Sequence, residues 1–246
     1  VLNTCKALES EGCRVTYLPV TSDGVVRIED VEKSLSPDTV LITVMHANNE
    51  TGVLQPIEAV SDLAKNRGIV FHTDAVQSAG KIPRCLCAFG ADLVSVSGHK
   101  FYGPKGTAAL YVRKGTPLDP LLTGGPHEGS LRAGTENVAG IVGFSHAIAL
   151  AMESAESEYQ RLQTLRDRLE ARICAAVPKV RINGASAPRV PNTSSLSFES
   201  IDGESIVFSL DLSGIYVSTG SACSTGDPEP SHVLLAMGLA PKEAQG

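Results

Sequence analysis

Residues 39–46 read TVLITVMH, a run that is apolar almost without a break. Such a run suits a strand covered on both faces, as in a parallel sheet flanked by helices. Shorter apolar segments follow at IVFHTDA (69–75), ADLVSVS (91–97) and TAALYVRK (107–114), each bounded by turn residues. Between the first two, Pro56 opens a helical pattern that runs through Asn66, and Gly68 stops it. Upstream, Leu2, Cys5 and Leu8 share a helical face that ends at Gly12, CRVTYLPV (13–20) predicts a strand, and a short helix is expected near Glu29 to Leu35. Strands alternating with helices predict an α/β fold with a mostly parallel sheet and flanking helices.

The second half is organised differently. Residues 137–176 predict one long helix, in which Leu162, Leu165, Leu169 and Ile173 form an apolar stripe expected to be core. NTSSLSF (192–198), a helix after Asp202, IYVST (215–219) and a helix from Glu229 to Met237 then make a smaller α/β unit. The expected division is a large domain over residues 1–150 and, over 151–246, a linking helix with a small C-terminal domain. The proline-rich ASAPRVPN (185–192) is the expected join.

Charge and composition narrow the function. At 246 residues and 42% apolar the chain can bury a real core, and its net charge of −6 with interspersed signs offers no basic patch for nucleic acid or an anionic membrane. No apolar run reaches the ~18 residues of a spanning helix. The cysteines are scattered, and Cys85-Leu-Cys87 has no second pair to complete a zinc site, so reduced thiols in a cytoplasmic compartment are expected.

In open α/β sheets ligands lie beyond the carboxyl ends of the strands. There the chain places His46-Ala-Asn48-Asn49-Glu50, His72-Thr-Asp74-Ala-Val-Gln77 and Ser97-Gly-His99-Lys100. Taken singly, such a histidine is often a satisfied core residue and such an aspartate a helix cap. Together they deliver a carboxylate, amides, a hydroxyl, imidazoles and an amine to one edge of the sheet. A lysine that forms a Schiff base must lose its proton, which desolvation and a neighbouring cation make easier. Pyridoxal phosphate would further require a carboxylate for its pyridinium nitrogen and donors for its phosphate. Asp74 suits the first role, Ser97 and His99 the second, and Gly98 and Gly103 are expected to let the backbone approach the cofactor closely.

HANNETGVLQPI, FHTDAVQSAGK, SGHKFYGPKG, LRAGTENVAG and STGSACSTGDPEPSHVLLAMG, in that order, resemble the cysteine desulfurases of the NifS/IscS type, within the fold-type I, class V aminotransferases. The resemblance implies that Lys100 carries pyridoxal 5'-phosphate as an imine, that Asp74 pairs with the pyridine nitrogen and that Gln77 bonds the ring's phenolic oxygen. It implies that Asn49 lies beside that oxygen and the substrate carboxylate, that Ser97 and His99 hold the phosphate, and that His72 is a candidate proton-transfer group. Thr135 would reach the phosphate of a second copy, making a homodimer. Cys223, in a stretch rich in Gly, Ser and Pro, would be the nucleophile that takes sulfur from L-cysteine as a persulfide. It would hand that sulfur to an acceptor or iron–sulfur scaffold protein. Through its persulfide Cys223 is also a candidate transient ligand of an iron–sulfur cluster, with no resident metal.

The same resemblance implies an upstream phosphate loop, a ring-stacking histidine and a downstream arginine for the substrate carboxylate, none of which is in these residues. The sequence is therefore expected to be a piece of a longer chain. PHEGS before LRAGT also departs from the family's usual wording. Selenocysteine lyase and a cofactor-free docking module are the alternatives.

Overall fold

The computed structural model describes residues 1–220 and 230–246. Helices α1 (Leu2–Ser10) and α2 (Ile28–Ser34) precede strand β1 (Leu41–Met45), α3 (Ile57–Arg67), β2 (Val70–Asp74), β3 (Leu93–Ser97) and β4 (Ala108–Val112). The sheet order is β1-β2-β3-β4. β1, β2 and β3 run parallel, with Met45 opposite Asp74 and Asp74 opposite Ser95, whereas β4 returns antiparallel to β3. The connection over residues 98–107 is too short for a crossover, so β4 comes back alongside its predecessor. The fold is thus α/β with a mostly parallel sheet.

The strand faces differ. Ile42, Val44, Phe71, Val94 and Val96 are buried on one face and pack with Ile57, Val60 and Ala64 of α3 and Val31 of α2. The opposite face carries Thr43, His72 and Ser95, all half-buried. The apolar run at 39–46 is therefore covered to core level on one face only. α3 starts after Pro56 and ends on Gly68, whose φ of 67° is the left-handed conformation that a glycine adopts without strain.

Several expectations need correction. CRVTYLPV joins no ladder, although Leu18 and Val20 pack against the cores. IYVST is irregular and open to solvent, with Tyr216 82% exposed. Residues 137–176 form two helices, α4 (Val138–Glu153) and α5 (Ala155–Ala176), bent by 68° at Ser154. Among the described residues no single helix is long and apolar enough to cross a membrane. The stripe on α5 is not core here: Leu165 is 40% and Leu169 51% exposed, and with Arg168, Arg172 and Ile173 they line an open groove of about 520 Å³.

ASAPRVPN is tied down. Arg189 donates two hydrogen bonds to Glu170 of α5, at 2.7 and 2.8 Å, inside a buried ion pair, and Ser194 Oγ donates to the same carboxylate at 2.8 Å. Burial alone raises the Glu170 pKa, but the bonds from Arg189 and Ser194 outweigh it and hold the carboxyl below its ordinary value. Val190 N also donates to Gly52 O at 2.8 Å, so the stretch clamps α5 to the loop after β1. On either side of it, β5 (Val180–Ile182) and β6 (Leu196–Phe198) form an antiparallel pair. α6 (Gly203–Asp211) is capped by Asp202, and α7 (His232–Ala236) by Ser231, while Glu229, the expected start of the last helix, lies outside the described residues.

Candidate active site

The carboxyl ends of β2 and β3 lie side by side, and most of the candidate residues meet there. Lys100 sits on a 3₁₀ turn, Gly98–Phe101, that follows β3 directly. Gly98 N donates to Thr107 O and Gly103 N to Gly98 O, both at 2.9 Å, closing the segment into a compact knot. A Cβ on Gly98 would lie 2.8 Å from Thr107 Oγ1 and 3.0 Å from Phe144, and one on Gly103 would lie 3.0 Å from Gly98 O. These glycines are thus demanded by the turn's own packing, which is a different reason from the close cofactor approach expected above. The Lys100 side chain is half-buried and makes no hydrogen bond or ion pair with any described residue.

Around it the donors are ordered. Ser97 Oγ and His99 Nδ1 lie 2.8 Å apart, a hydroxyl and an imidazole linked across one residue. Asp74, at the end of β2, accepts from Val76 N through Oδ1 at 2.9 Å, which caps the turn that follows. Its other carboxylate oxygen has no protein partner among the described residues. Gln77 lies on that turn, and its Oε1 accepts a hydrogen bond from Lys81 Nζ at 3.3 Å. Asn49 is exposed, and its amide bonds no described residue, because the neighbouring Asn48 makes the turn by accepting from Glu50 N and Thr51 N, each at 2.9 Å.

His72 is placed differently. Its Nδ1 is 2.7 Å from Thr43 Oγ1 and its Nε2 2.9 Å from Ser95 Oγ, so one ring spans β1, β2 and β3. Burial lowers its pKa, with the nearby Asp74 opposing. Both ring nitrogens are committed to hydroxyls. His46 follows the core alternative: it is 6% exposed, packs edge-on to Phe89 at 4.4 Å and bonds Ser78 Oγ at 2.9 Å. Burial drives its pKa down to about 4.

Thr135 lies exposed between Leu131 and α4 and bonds none of these groups. Cys223 lies outside the described residues. Cys5, Cys13 and Cys174 are free thiols, but Cys85 is disulfide-bonded, against the expectation of reduced thiols throughout. Two contacts escaped the sequence. One is Lys81 on Gln77, for which the spacing of four residues in QSAGK was the available signal. The other is the hydrogen bond from Ser231 to the buried Glu50, which joins residues with no shared pattern at all.

The geometry at the strand ends can be set beside known proteins. The aminotransferase class-V family model matches residues 1–241. A cysteine desulfurase IscS of Dictyoglomus turgidum is 50% identical over the whole chain, which spans 62% of that protein, and a cysteine desulfurase of Nostoc is 49% identical over 97% of the chain and 60% of its own length. The chain therefore spans about three-fifths of the length of these curated relatives. Among solved structures, a NifS-like protein superposes with a TM-score of 0.89 at 41% identity, covering 100% of this chain and 64% of its own. SspA in complex with cysteine superposes at 0.80 with 36% identity, covering 99% of this chain and 67% of its own. With the model matched from the first residue through the last helix, this chain belongs to the aminotransferase class-V family.

Proposed function

We propose that the full-length polypeptide containing these residues is a pyridoxal phosphate-dependent cysteine desulfurase. The observation that carries the reading is Lys100, a half-buried amine on a packed turn with no partner among the described residues, next to a strand end whose Asp74 keeps one carboxylate oxygen uncommitted by any of them. The names of the similar desulfurases support the choice of substrate.

The residues present fit the cofactor. No described carboxylate pairs with the half-buried Lys100 amine, which leaves it available to an anionic ligand. When bound, pyridoxal phosphate supplies an electron sink for the bonds at the substrate's α-carbon. Lys100 provides the amine that links to it. Asp74 keeps the ring nitrogen protonated through its free oxygen, Gln77 donates to the ring oxygen, and Ser97 with His99 offers a hydroxyl and an imidazole to the phosphate. Asn49 extends a free amide towards the substrate carboxylate. His72 braces the three strands, and moving a substrate proton would require it to release Thr43 or Ser95.

Cys223 is the proposed sulfur acceptor. Its thiolate attacks the sulfur of bound cysteine, an S–S bond forms as the C–S bond breaks, and the electron pair left on carbon takes a proton to give L-alanine. The persulfide then passes to an acceptor thiol or an iron–sulfur scaffold protein. A second copy of the chain, reached through Thr135, completes the proposed homodimer, and the proposed setting is the cytoplasm.

The deciding experiment uses the full-length protein. Lys100→Ala is expected to lose the visible absorbance of lysine-bound cofactor and alanine production together. Cys223→Ser is expected to keep the absorbance and form no protein persulfide. Persulfide found on another cysteine while Cys223→Ser turns over normally would remove Cys223 from the mechanism, and a colourless wild-type protein would leave the docking-module alternative.

A further inference from the structure

We infer that Lys81 is a positioning residue for the proposed cofactor site, holding the Gln77 amide so that its NH₂ end faces the ring oxygen. The inference rests on the pyridoxal phosphate reading and deepens it.

The argument begins with donors. Lys81 Nζ lies 3.3 Å from Gln77 Oε1. An ammonium has only hydrogens to offer, so the amide must turn its carbonyl towards Lys81, and the NH₂ is the end left for a ligand. An ionised phenolic oxygen on a pyridoxal ring is an acceptor and requires a donor at that place. Without Lys81 the amide is free to flip, and the flipped form would set a carbonyl lone pair against an anionic oxygen.

The placement of Lys81 supports this role. Lys81 N and Ile82 N both donate to Ser78 O, at 3.1 and 3.2 Å, which coils residues 78–82 into a tight turn. Gly80 in that turn has a φ of 71°, and a Cβ there would stand 3.0 Å from the Cβ of Phe101, the neighbour of Lys100. The turn carrying Lys81 is therefore packed directly on the turn carrying Lys100. Lys81 is no solvated surface cation: burial first, and the charge of Lys100 second, pull its pKa down to about 8.

The test compares two ligands on full-length apoprotein by equilibrium dialysis: pyridoxal phosphate, and 3-deoxypyridoxal phosphate, which lacks the phenolic oxygen. Lys81→Met is expected to weaken pyridoxal phosphate about tenfold and to leave the 3-deoxy analogue within about twofold, the size of one charge-assisted hydrogen bond. Lys81→Arg, which keeps charge and donors, is expected to bind both as wild type does. Gln77→Ala should show the same selective loss, and the Gln77→Ala/Lys81→Met double variant should be no weaker than Gln77→Ala alone. Where Lys81→Met folds poorly by circular dichroism, Lys81→Gln serves instead, with a smaller loss still confined to pyridoxal phosphate. Equal weakening of both ligands, or of neither, overturns the inference while the cofactor reading stands. Wild-type protein that binds neither ligand overturns both.

Discussion

The parallel strands β1 to β3 and helix α5 each carry an apolar stripe that spacing alone reveals, yet only the first is covered. On the strands, Phe71 and Val94 are each 1% exposed, sealed by α3 and α2. On α5, the stripe through Leu165 and Leu169 lines an open groove, and the helix is held instead by Glu170 on another face, through its buried pair with Arg189. Periodicity reports which face is apolar, but what stands opposite that face depends on contacts far away in sequence. One region is stabilised by burial and the other by a polar clamp, and substitutions should separate the two.

The largest expected effect lies in the sheet layer. Phe71→Ala removes a fully buried ring between β1, β3 and α3 and should destabilise the protein by about 3–5 kcal/mol in denaturant unfolding. A loss below 1 kcal/mol would mean that the layer collapses around the gap and would blur the contrast with α5.

At α5 the clamp is the sensitive point. Arg189→Met leaves Glu170 buried without its partner and should cost about 3 kcal/mol, whereas replacing both residues with Met should cost clearly less, because no uncompensated charge remains. Equal losses for the single and double variants would show that packing of the 188–192 stretch, rather than charge pairing, holds the helix.

Legibility followed the same divide. The strands at 69–75 and 91–97, the Pro56 to Gly68 helix and the Asp202 cap depend on local chemistry and could be found by it. CRVTYLPV has strand composition but no ladder, and the bend at Ser154 falls inside a continuous helical pattern, so both were misjudged. At the site, the order of polar residues after each strand was visible, since register brings Asp74 opposite Ser95. The commitments of those residues were not. Nothing in FHTD says that His72 bridges Thr43 and Ser95, because β1 and β3 supply both hydroxyls.

A pH titration probes the sheet layer again through His46. Its pKa falls from the ordinary 6.5 to about 4 on burial, so the unfolded chain binds more protons between those values. The resulting stabilisation is complete above pH 6.5 and disappears as pH falls towards 4, a loss of roughly 3–4 kcal/mol at ~1.4 kcal/mol per unit. His46→Gln should flatten that slope, and an unchanged slope would mean that other groups cause it.

The smallest effect should come from the stripe that looked most like core. Leu169 is 51% exposed, so truncating it removes side-chain atoms that already touch water on one side and leaves no closed cavity. In residues 1–246, Leu169→Ala should shift unfolding by no more than about 0.5 kcal/mol, as expected at an exposed helical position where alanine also has the higher helix propensity. Phe71→Ala measured beside it sets the scale. Were Leu169→Ala to approach the loss at Phe71, the groove along α5 would have to be closed in solution, and the difference between a sealed sheet and an open helix would not hold.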